Sequence, residues 1–268
     1  MKTATDLRRH KNTNYGASQA ITGLQDYRPR IIHQSETHNH AYATKQPEHL
    51  WYFNHLRPKI CFYQRLPQNT TKHHEFKMAA TTLIDSLKTA SLLPSTIIPQ
   101  NFAPTYNLDV SFSTKSPTNG SLVRVSDVKD VPKVTFSAIS NSGSAQSFTF
   151  FLIDPDAPTP DDPKFAYWRH WVVTNIPSSA GSIEAGRTLT QYLAPGPKDE
   201  SGPHRYLFLL FKEPEAFSIE KEDVGGEEFV DRRSFKAREF VERHGLELVG
   251  VQWMRGVGDG WNEGKDEL

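Results

Sequence analysis

The sequence feature that most constrains the fold is a series of short apolar or alternating segments, each bounded by Gly, Pro, Asn or Asp. The segments are Leu108–Phe112, Val134–Phe136, Phe148–Ile153, Trp171–Ile176, Tyr206–Phe211 and Leu246–Met254. Short segments of this kind, separated by turn residues, are typical of β-strands. The sequence therefore predicts a domain built mainly from strands.

Helical spacing occurs before this series and again near its end. Apolar residues recur at helical intervals from Leu83 to Leu92, and Pro94 closes that segment. The same periodicity returns from Phe229 to His244, where Gly245 is a suitable helix stop. Because many strands occur with few helices and without strand–helix alternation, we expect a β-sandwich-like domain with peripheral α-helices.

The N-terminal part of the chain differs in composition from the rest. Residues 1–77 hold 12 Lys and Arg against 5 Asp and Glu, and 8 of the 11 histidines, without sustained periodicity. Residues 78–268 hold 19 basic and 26 acidic residues. We therefore predict that residues 1–77 are a disordered extension or a gene-model artefact, with the true start at Met78. The folded domain is then expected to span residues 78–258, followed by a flexible acidic tail at residues 259–268.

Composition also disfavours several classes of protein. The formal net charge of zero argues against a dedicated nucleic-acid-binding protein. The single cysteine, Cys61, precedes the predicted domain, so that domain has no disulfide, cysteine metal site or thiol nucleophile. No apolar run approaches the ~18 residues of a transmembrane helix, and residues 1–30 lack the apolar core of a secretory signal peptide.

We expect the protein to be cytoplasmic. The chain ends in Lys265-Asp266-Glu267-Leu268, which matches an ER-retention signal and makes the ER lumen the alternative location. Such a signal is read only in the secretory lumen, so an accidental match is the simpler interpretation when no signal peptide is visible.

Two carboxylates directly follow one of the predicted strands. Asp154 and Asp156 lie in an Asp-Pro-Asp-Ala-Pro turn after Phe148–Ile153, and Pro158 is a candidate for a cis peptide bond. In isolation such a turn is usually structural, because aspartate side chains commonly accept hydrogen bonds from the turn's own backbone.

Two histidines at the starts of later strands make a functional site the better interpretation. Trp168 and His170 share one face of a strand, and so do His204 and Tyr206, because side chains alternate along a strand. A histidine close to a carboxylate has its charged form favoured, so its pKa tends to rise. Together with backbone N–H groups from the turn around Gly196, such histidines predict a site for phosphate or carboxylate.

The order of these motifs resembles that of a known family. Asp-Pro-Asp-Ala-Pro, Trp-x-His, Gly-Pro and Gly-Pro-His-Arg-Tyr resemble the motifs of the phosphatidylethanolamine-binding protein (PEBP) family between residues 80 and 255. The run from Gly202 to Lys212 and the segment Gly245–Gly250 are most similar to the fungal branch that includes the carboxypeptidase Y inhibitors. The resemblance implies a PEBP-like β-sandwich, with a large central antiparallel sheet, a second smaller sheet and peripheral helices.

The resemblance also implies which residues form the pocket. The implied lining residues are Asp154, Asp156, Trp168, His170, Gly196, Pro197, His204 and Tyr206. Pro158 is implied to hold the turn as a cis proline. The two aspartates are expected to orient a histidine or the turn, since their charge repels an anion. This chain departs from the family pattern at Lys198, where many members have a second proline.

Two functions follow from this resemblance and remain open at this point. The first is a binding protein for a small anion, a phospholipid headgroup or a carboxylate metabolite, which also inhibits a serine carboxypeptidase. In that inhibitor group the acetylated N-terminus enters the protease, and a start at Met78 exposes Ala79, a residue of the type commonly acetylated. We expect a monomer without a cofactor, a bound metal or a nucleic-acid partner.

The alternative function is enzymatic. Some members in fungal secondary-metabolite biosynthesis assist the cyclisation or dimerisation of anhydride-bearing polyketide precursors. In that case His170 and His204 are the candidate general acid or base. The same pocket serves either function, so the sequence leaves open whether the protein is an enzyme.

Overall fold

The computed structural model describes residues 70–140 and 145–263, with side chains described from Ala80 onwards. Cys61, most of the predicted N-terminal extension and the Lys265–Leu268 signal lie outside these ranges. The first helix begins at Thr70, upstream of the domain start predicted at Met78.

Eight strands and three α-helices make up the described chain, together with four short 3-10 turns. The strands are β1 (Tyr106–Ser111), β2 (Ser121–Arg124), β3 (Lys133–Ala138), β4 (Ser147–Asp154), β5 (Trp168–Pro177), β6 (Arg187–Thr190), β7 (His204–Lys212) and β8 (Glu247–Val257). The helices are α1 (Thr70–Thr89), the single-turn α2 (Lys221–Val224) and α3 (Ala237–Arg243). The mainly β fold predicted from the sequence is confirmed.

The strands form one large and one small sheet. The large sheet has the order β2-β8-β7-β4-β5-β6, and β1 pairs with β3 in the small sheet. All of these pairs are antiparallel except β2 with β8, which is parallel. The central strands β4 and β7 are thus covered on both edges by other strands.

Alternation along β4 and β7 divides the core between the two faces of the large sheet. Phe151 and Ile153 of β4 join the core that contains residues of α1 and α3. Phe148 and Phe150 point to the other face, where they pack with β1 and β3. All of these side chains are fully buried, and each contributes about 1.5–3 kcal/mol of hydrophobic stabilisation. Burial on both faces explains why these strands are continuous apolar runs in the sequence.

The helix predicted from Phe229 to His244 is shorter in the structure, where only α3 is helical. The residues just before α3 use their backbone groups elsewhere. The backbone N–H of Ser234 donates to the carbonyl of Phe165 over 3.0 Å, and that of Phe235 donates to Tyr167 over 2.8 Å. These long-range bonds replace the N–H(i) to O(i−4) bonds of a helix, so the prediction is wrong for residues 229–236.

The structure confirms the predicted end of α3 but contains two strands that the sequence did not predict. Gly245 adopts a left-handed φ of +62° directly after the helix, which confirms it as the helix stop. The strands β2 and β6 were not predicted; each has four residues and lies at an edge of the large sheet. Within the described ranges, none of the helices combines the length and apolar character needed to span a membrane.

Candidate functional site

Antiparallel pairing brings the predicted motifs together at one end of the large sheet. β4 runs antiparallel to both β5 and β7, so its C-terminal end lies beside the first residues of its two neighbours. Asp154, the last residue of β4, pairs directly with Trp168, the first residue of β5. His204 is the first residue of β7. Motifs that are up to 50 residues apart along the chain therefore meet in space.

These motifs surround a cavity of about 400 Å³, a size typical of small-molecule sites. Seven of the eight predicted pocket residues line it, namely Asp154, Trp168, His170, Gly196, Pro197, His204 and Tyr206. Pro158 also lines the cavity, and the Ala157–Pro158 peptide bond is cis, as predicted. The eighth residue, Asp156, is not part of the wall.

Asp154 fixes the orientation of His204. Nδ1 of His204 lies 2.8 Å from Oδ2 of Asp154, and both side chains are buried. The other oxygen of Asp154 accepts the backbone N–H of Asp156 over 2.6 Å. An ionised carboxylate is an acceptor only, so the proton of this contact lies on Nδ1 of the histidine. Nε2 of His204 is then the nitrogen left for a ligand.

Asp156 serves the neighbouring strand and does not face the cavity. Its carboxylate accepts the backbone N–H of Arg205 over 2.7 Å and a bidentate contact from the Arg205 guanidinium, at 2.9 Å from Nε and 2.6 Å from Nη2. Nη1 of Arg205 donates to the carbonyl of Ala90 over 2.8 Å. Asp156 is buried, and these charge-assisted bonds raise the pKa of Arg205. The pair holds the start of β7, and with it His204, against the Asp154–Pro158 turn.

Two polar nitrogens in the cavity wall lack hydrogen-bond partners among the described residues. They are Nε2 of His204 and Nε1 of Trp168, and both atoms are buried. A buried polar group without a partner costs about 1–3 kcal/mol. The indole N–H is a donor only, so it needs an acceptor to be satisfied. A ligand that presents acceptor oxygens inside the cavity would meet this requirement.

His170 contradicts the expectation of a raised histidine pKa. Burial lowers the pKa of His170 from its ordinary 6.5, and the positive charge of Arg232 lowers it further. The Asp154 carboxylate and the Leu193 carbonyl act in the opposite direction, but burial is the largest effect. Nδ1 of His170 lies 2.7 Å from the Leu193 carbonyl, so the neutral ring donates there and keeps Nε2 as an acceptor. The expected rise in pKa therefore does not hold for His170.

Tyr206 of β7 provides a neutral aromatic wall next to both histidine rings. Its ring is nearly parallel to that of His204, with centroids 6.3 Å apart, and meets His170 edge-on at 5.4 Å. Burial, followed by the charges of Asp154 and Asp156, raises the Tyr206 pKa well above its ordinary value. The phenol therefore stays protonated and adds no charge to the cavity.

A further part of the wall comes from a segment that the sequence did not link to the site. We call residues 225–236 the lip segment. Phe229 and Arg233 of this segment line the cavity, although neither belongs to a predicted site motif. Phe229 packs edge-on against Trp168, with centroids 4.6 Å apart, yet remains 61% exposed. Its local pattern indicates only helical spacing. The pattern does not identify the segment as part of the site, because its contacts depend on residues about 60 positions earlier in the chain.

Two buried arginines attach the lip segment to the large sheet. Nη1 of Arg232 donates to the carbonyls of Arg169, His170 and Gln191 over 3.3, 3.1 and 2.9 Å. The Arg169 guanidinium donates to the carbonyls of Val224 and Gly226. Burial, together with the charge of Arg232, lowers the pKa of Arg169 to about 10. Both guanidiniums remain charged at neutral pH and hold backbone carbonyls of β5 and the lip segment together.

Lys198, where the sequence departs from the family pattern, lies at the rim of the cavity. Its ammonium is 3.6 Å from the carboxylate of Glu200, and both side chains are largely exposed. An exposed pair of this kind contributes little to stability, about 0–1 kcal/mol. It also leaves little net charge at the rim.

Comparison with known proteins agrees with this architecture. The sequence profile described as Phosphatidylethanolamine-binding protein matches residues 100–252. Among curated proteins, the Protein MOTHER of FT and TFL1 homolog 2 of Oryza sativa subsp. japonica is 32% identical over 149 residues, which cover 55% of this chain and 78% of that protein.

Solved structures share the same fold. A carboxypeptidase Y inhibitor complexed with its cognate proteinase matches with a TM-score of 0.56 and 23% identity, over 67% of this chain and 97% of that one. The phosphatidylethanolamine-binding protein from Plasmodium vivax matches with a TM-score of 0.54 and 25% identity, over 66% of this chain and 97% of that one. At 23% identity, the likeness to the inhibitor is one of fold alone. Because the profile match spans more than half of the sequence, this chain belongs to the phosphatidylethanolamine-binding protein family.

Proposed function

We propose that this protein binds a small anion, a phosphate or carboxylate group, in the cavity at the ends of β4, β5 and β7. The observation that carries the proposal concerns two buried nitrogens in the cavity lining, Nε1 of Trp168 and Nε2 of His204, which have no hydrogen-bond partner among the described residues. Anionic oxygens are strong hydrogen-bond acceptors, so an anion placed between these atoms accepts from the indole N–H and from Nε2 of a His204 ring that carries both protons.

Each polar residue of the site then has a distinct role. Trp168 donates its indole N–H to the ligand. His204 donates from Nε2 when its ring carries both protons, while Nδ1 keeps its bond to Asp154. The Asp154 carboxylate balances the imidazolium charge from behind and does not touch the anion. This arrangement supplies directed donors to the ligand, while both oxygens of Asp154 are occupied by Nδ1 of His204 and the backbone N–H of Asp156.

The rest of the wall suits a ligand with an apolar portion next to its charged group. Phe165, Leu193 and Tyr206 line the same cavity and present apolar surface. A phospholipid headgroup and a carboxylate metabolite share the charged chemistry proposed for the floor of the site. Competition measurements between these two kinds of ligand would identify the molecule that carries the anionic group.

The geometry supports binding more than acid–base catalysis. A general acid or base works best when its pKa lies near the working pH. Burial moves the His170 pKa downwards and away from neutrality, and Nδ1 of His170 already bonds to the Leu193 carbonyl. A polyketide-processing role that uses His170 as its general acid has no support in this arrangement.

The carboxypeptidase-inhibitor hypothesis depends on a chain end at Ala79. The backbone is helical from Thr70 to Thr89, so position 79 is an internal position of α1 in this chain. The proposed anion contacts, by contrast, all come from residues that the structure describes. The anion site is therefore the better supported part of the predicted function, and inhibition of a serine carboxypeptidase by the full chain is a separate assay.

The direct test is isothermal titration calorimetry of the full chain with inorganic phosphate and with acetate. We expect binding by the wild type, and at least an about tenfold loss of affinity in His204→Asn, since a charge-assisted bond to a ligand is removed. His244→Asn, which changes a histidine outside the cavity lining, is the matched control and should bind like the wild type. An absence of binding at millimolar anion, or equal affinities for wild type and His204→Asn, contradicts the proposal.

A further inference from the structure

The lip segment brings a third cationic side chain to the cavity. Arg233 is part of the wall, together with Trp168 and His204. Its Nε is buried and has no hydrogen-bond partner in the part of the chain that the structure describes. Within residues 70–140 and 145–263, no carboxylate forms an ion pair with Arg233.

Three aromatic rings hold the Arg233 guanidinium. Its central carbon lies 4.5 Å from the ring centroid of Phe165, 5.3 Å from that of Phe229 and 5.8 Å from that of Trp168. Cations are attracted to aromatic faces within about 6 Å. Arginine keeps its hydrogen-bond donors free when it stacks on a ring, because the contact uses the flat face of the guanidinium. The rings thus position the charge without neutralising it.

Both neighbours of Arg233 are held in place, one by β5 and the segment after β6, the other by the loop that precedes β5. Arg232, immediately before it, donates to the carbonyls of Arg169, His170 and Gln191. Ser234, immediately after it, donates its backbone N–H to the carbonyl of Phe165 over 3.0 Å. Arg233 is therefore placed at the cavity by bonds that do not involve its own guanidinium, which is the arrangement of a pre-organised ligand contact.

The charges around the cavity leave Arg233 as the main source of positive potential. Both oxygens of the Asp154 carboxylate are occupied by hydrogen bonds, one to Nδ1 of His204 and one from the backbone N–H of Asp156. His170 is neutral at neutral pH because burial lowers its pKa. Lys198 pairs with Glu200 at the rim. Arg233 therefore adds a positive charge to the cavity beyond the contacts proposed for Trp168 and His204.

We infer that Arg233 is a second anion contact that makes this site prefer ligands with two negative charges, such as phosphate monoesters, over singly charged anions of similar shape. The inference rests on the proposed function, because it assigns the second charge of a ligand whose first contacts are Trp168 and His204. The guanidinium matches the oxygens of a phosphate in a bidentate arrangement, and a dianion gains from both cationic contacts.

The test compares two ligands that differ mainly in charge. Phenyl phosphate is mainly a dianion at about pH 7, above the second phosphate pKa of about 6, whereas its methyl ester, methyl phenyl phosphate, is a monoanion. We expect the full-length wild type to bind the dianion about tenfold more tightly, the ratio that one charge-assisted bond provides. Calorimetry should show this preference fall to about twofold or less in Arg233→Gln, with little change for the monoanion.

Two further variants keep the test interpretable. Arg233→Lys retains the charge and should keep part of the preference for the dianion. Arg238→Gln removes an exposed arginine that pairs with Glu242 on α3 and should behave like the wild type. Thermal unfolding of each variant checks that the domain is intact; should Arg233→Gln unfold, Arg233→Lys alone decides, through whether its dianion preference is lower than that of the wild type.

The outcomes separate this inference from the function on which it rests. If the wild type binds neither ligand, both are wrong. If the wild type binds both ligands but Arg233→Gln keeps the full preference for the dianion, the role of Arg233 is wrong and the anion site stands. If Arg233→Gln weakens both ligands equally, Arg233 only shapes the cavity and the inference is overturned.

Discussion

Nδ1 of His204 donates to Oδ2 of Asp154 over 2.8 Å, and each side chain is only 4% exposed. The second oxygen of Asp154 accepts from the backbone N–H of Asp156, so both oxygens of this carboxylate face donors. An amide at this position can accept only one of the two bonds and leaves the other donor opposed by its NH₂ group. The contact thus depends on a carboxylate and not merely on a side chain of that shape.

Asp154→Asn should therefore impair both binding and stability. We expect phosphate affinity to fall about tenfold, and the free energy of unfolding to fall by about 2 kcal/mol, because a buried charge-assisted bond is lost. Calorimetry and urea unfolding measure the two effects. Asp162→Asn is the control, since Asp162 is 66% exposed and pairs with Lys164 at the surface. Wild-type affinity in Asp154→Asn would mean that His204 is not held by this carboxylate in the binding state.

Arg205→Met should destabilise the domain, because it breaks an ion pair with the buried carboxylate of Asp156. The substitution leaves the Asp156 carboxylate, which is 1% exposed, without the guanidinium that pairs with it. Breaking a buried pair by removing one partner costs about 3–5 kcal/mol, and we expect about 3 kcal/mol because Arg205 itself is partly exposed. Lys164→Met, which breaks an exposed pair, should cost less than ~1 kcal/mol. Equal urea midpoints for these two variants would contradict the structural role given to Asp156.

The lowered His170 pKa predicts a loss of stability in mild acid. The folded protein resists protonation of His170, whereas the unfolded chain protonates near its ordinary pKa of 6.5. The unfolded state therefore binds more protons as the pH falls below 6.5, and the free energy of unfolding decreases until the folded-state pKa is passed. Above pH 6.5 this contribution is fully present.

Urea unfolding between neutral and mildly acid pH tests this dependence. His170→Asn should flatten the slope of unfolding free energy against pH, relative to the wild type. His244→Asn, a change at a partly buried histidine after α3, should retain the wild-type slope. A His170→Asn variant with an unchanged slope would assign the acid sensitivity to other groups.

Trp168→Phe separates a ligand donor from a packing residue. The substitution keeps an aromatic ring against Phe229 but removes the buried Nε1 that has no partner among the described residues. Removing an unsatisfied donor offsets the smaller buried surface, so the free energy of unfolding should change by less than about 1 kcal/mol. Phosphate affinity should nevertheless fall about fivefold or more, because the ligand loses a donor. A variant that loses stability but keeps its affinity would make Trp168 a packing residue only.

Much of the fold could be predicted because the central strands are buried on both faces and because turn residues bound the strand segments. The apolar runs of β4 and β7 identify the centre of the sheet, and the motifs at their ends identify three corners of the cavity. The edge strands β2 and β6 were missed because four residues with few buried positions carry no detectable alternation.

The lip segment and the protonation of the site could not be predicted from local patterns. Residues 229–236 have helical spacing, but hydrogen bonds to Phe165 and Tyr167 override it. Burial lowers the His170 pKa and the Asp154 charge raises it. The sequence shows the charge but not the burial, which is the larger effect. In the sequence, Arg233 has the character of a surface residue. Only the fold places the rings of Phe165 and Trp168 beside it.

The most direct test of the anion site is a ¹H–¹⁵N NMR titration of the full-length protein with phosphate, observed at the indole N–H resonances. The Trp168 signal is assigned by its disappearance in Trp168→Phe. We predict a saturable downfield shift of this resonance, because its free N–H gains an anionic acceptor, and loss of that shift in His204→Asn at the same phosphate concentration. A Trp168 resonance that stays in place while phosphate saturates other signals would contradict the central claim.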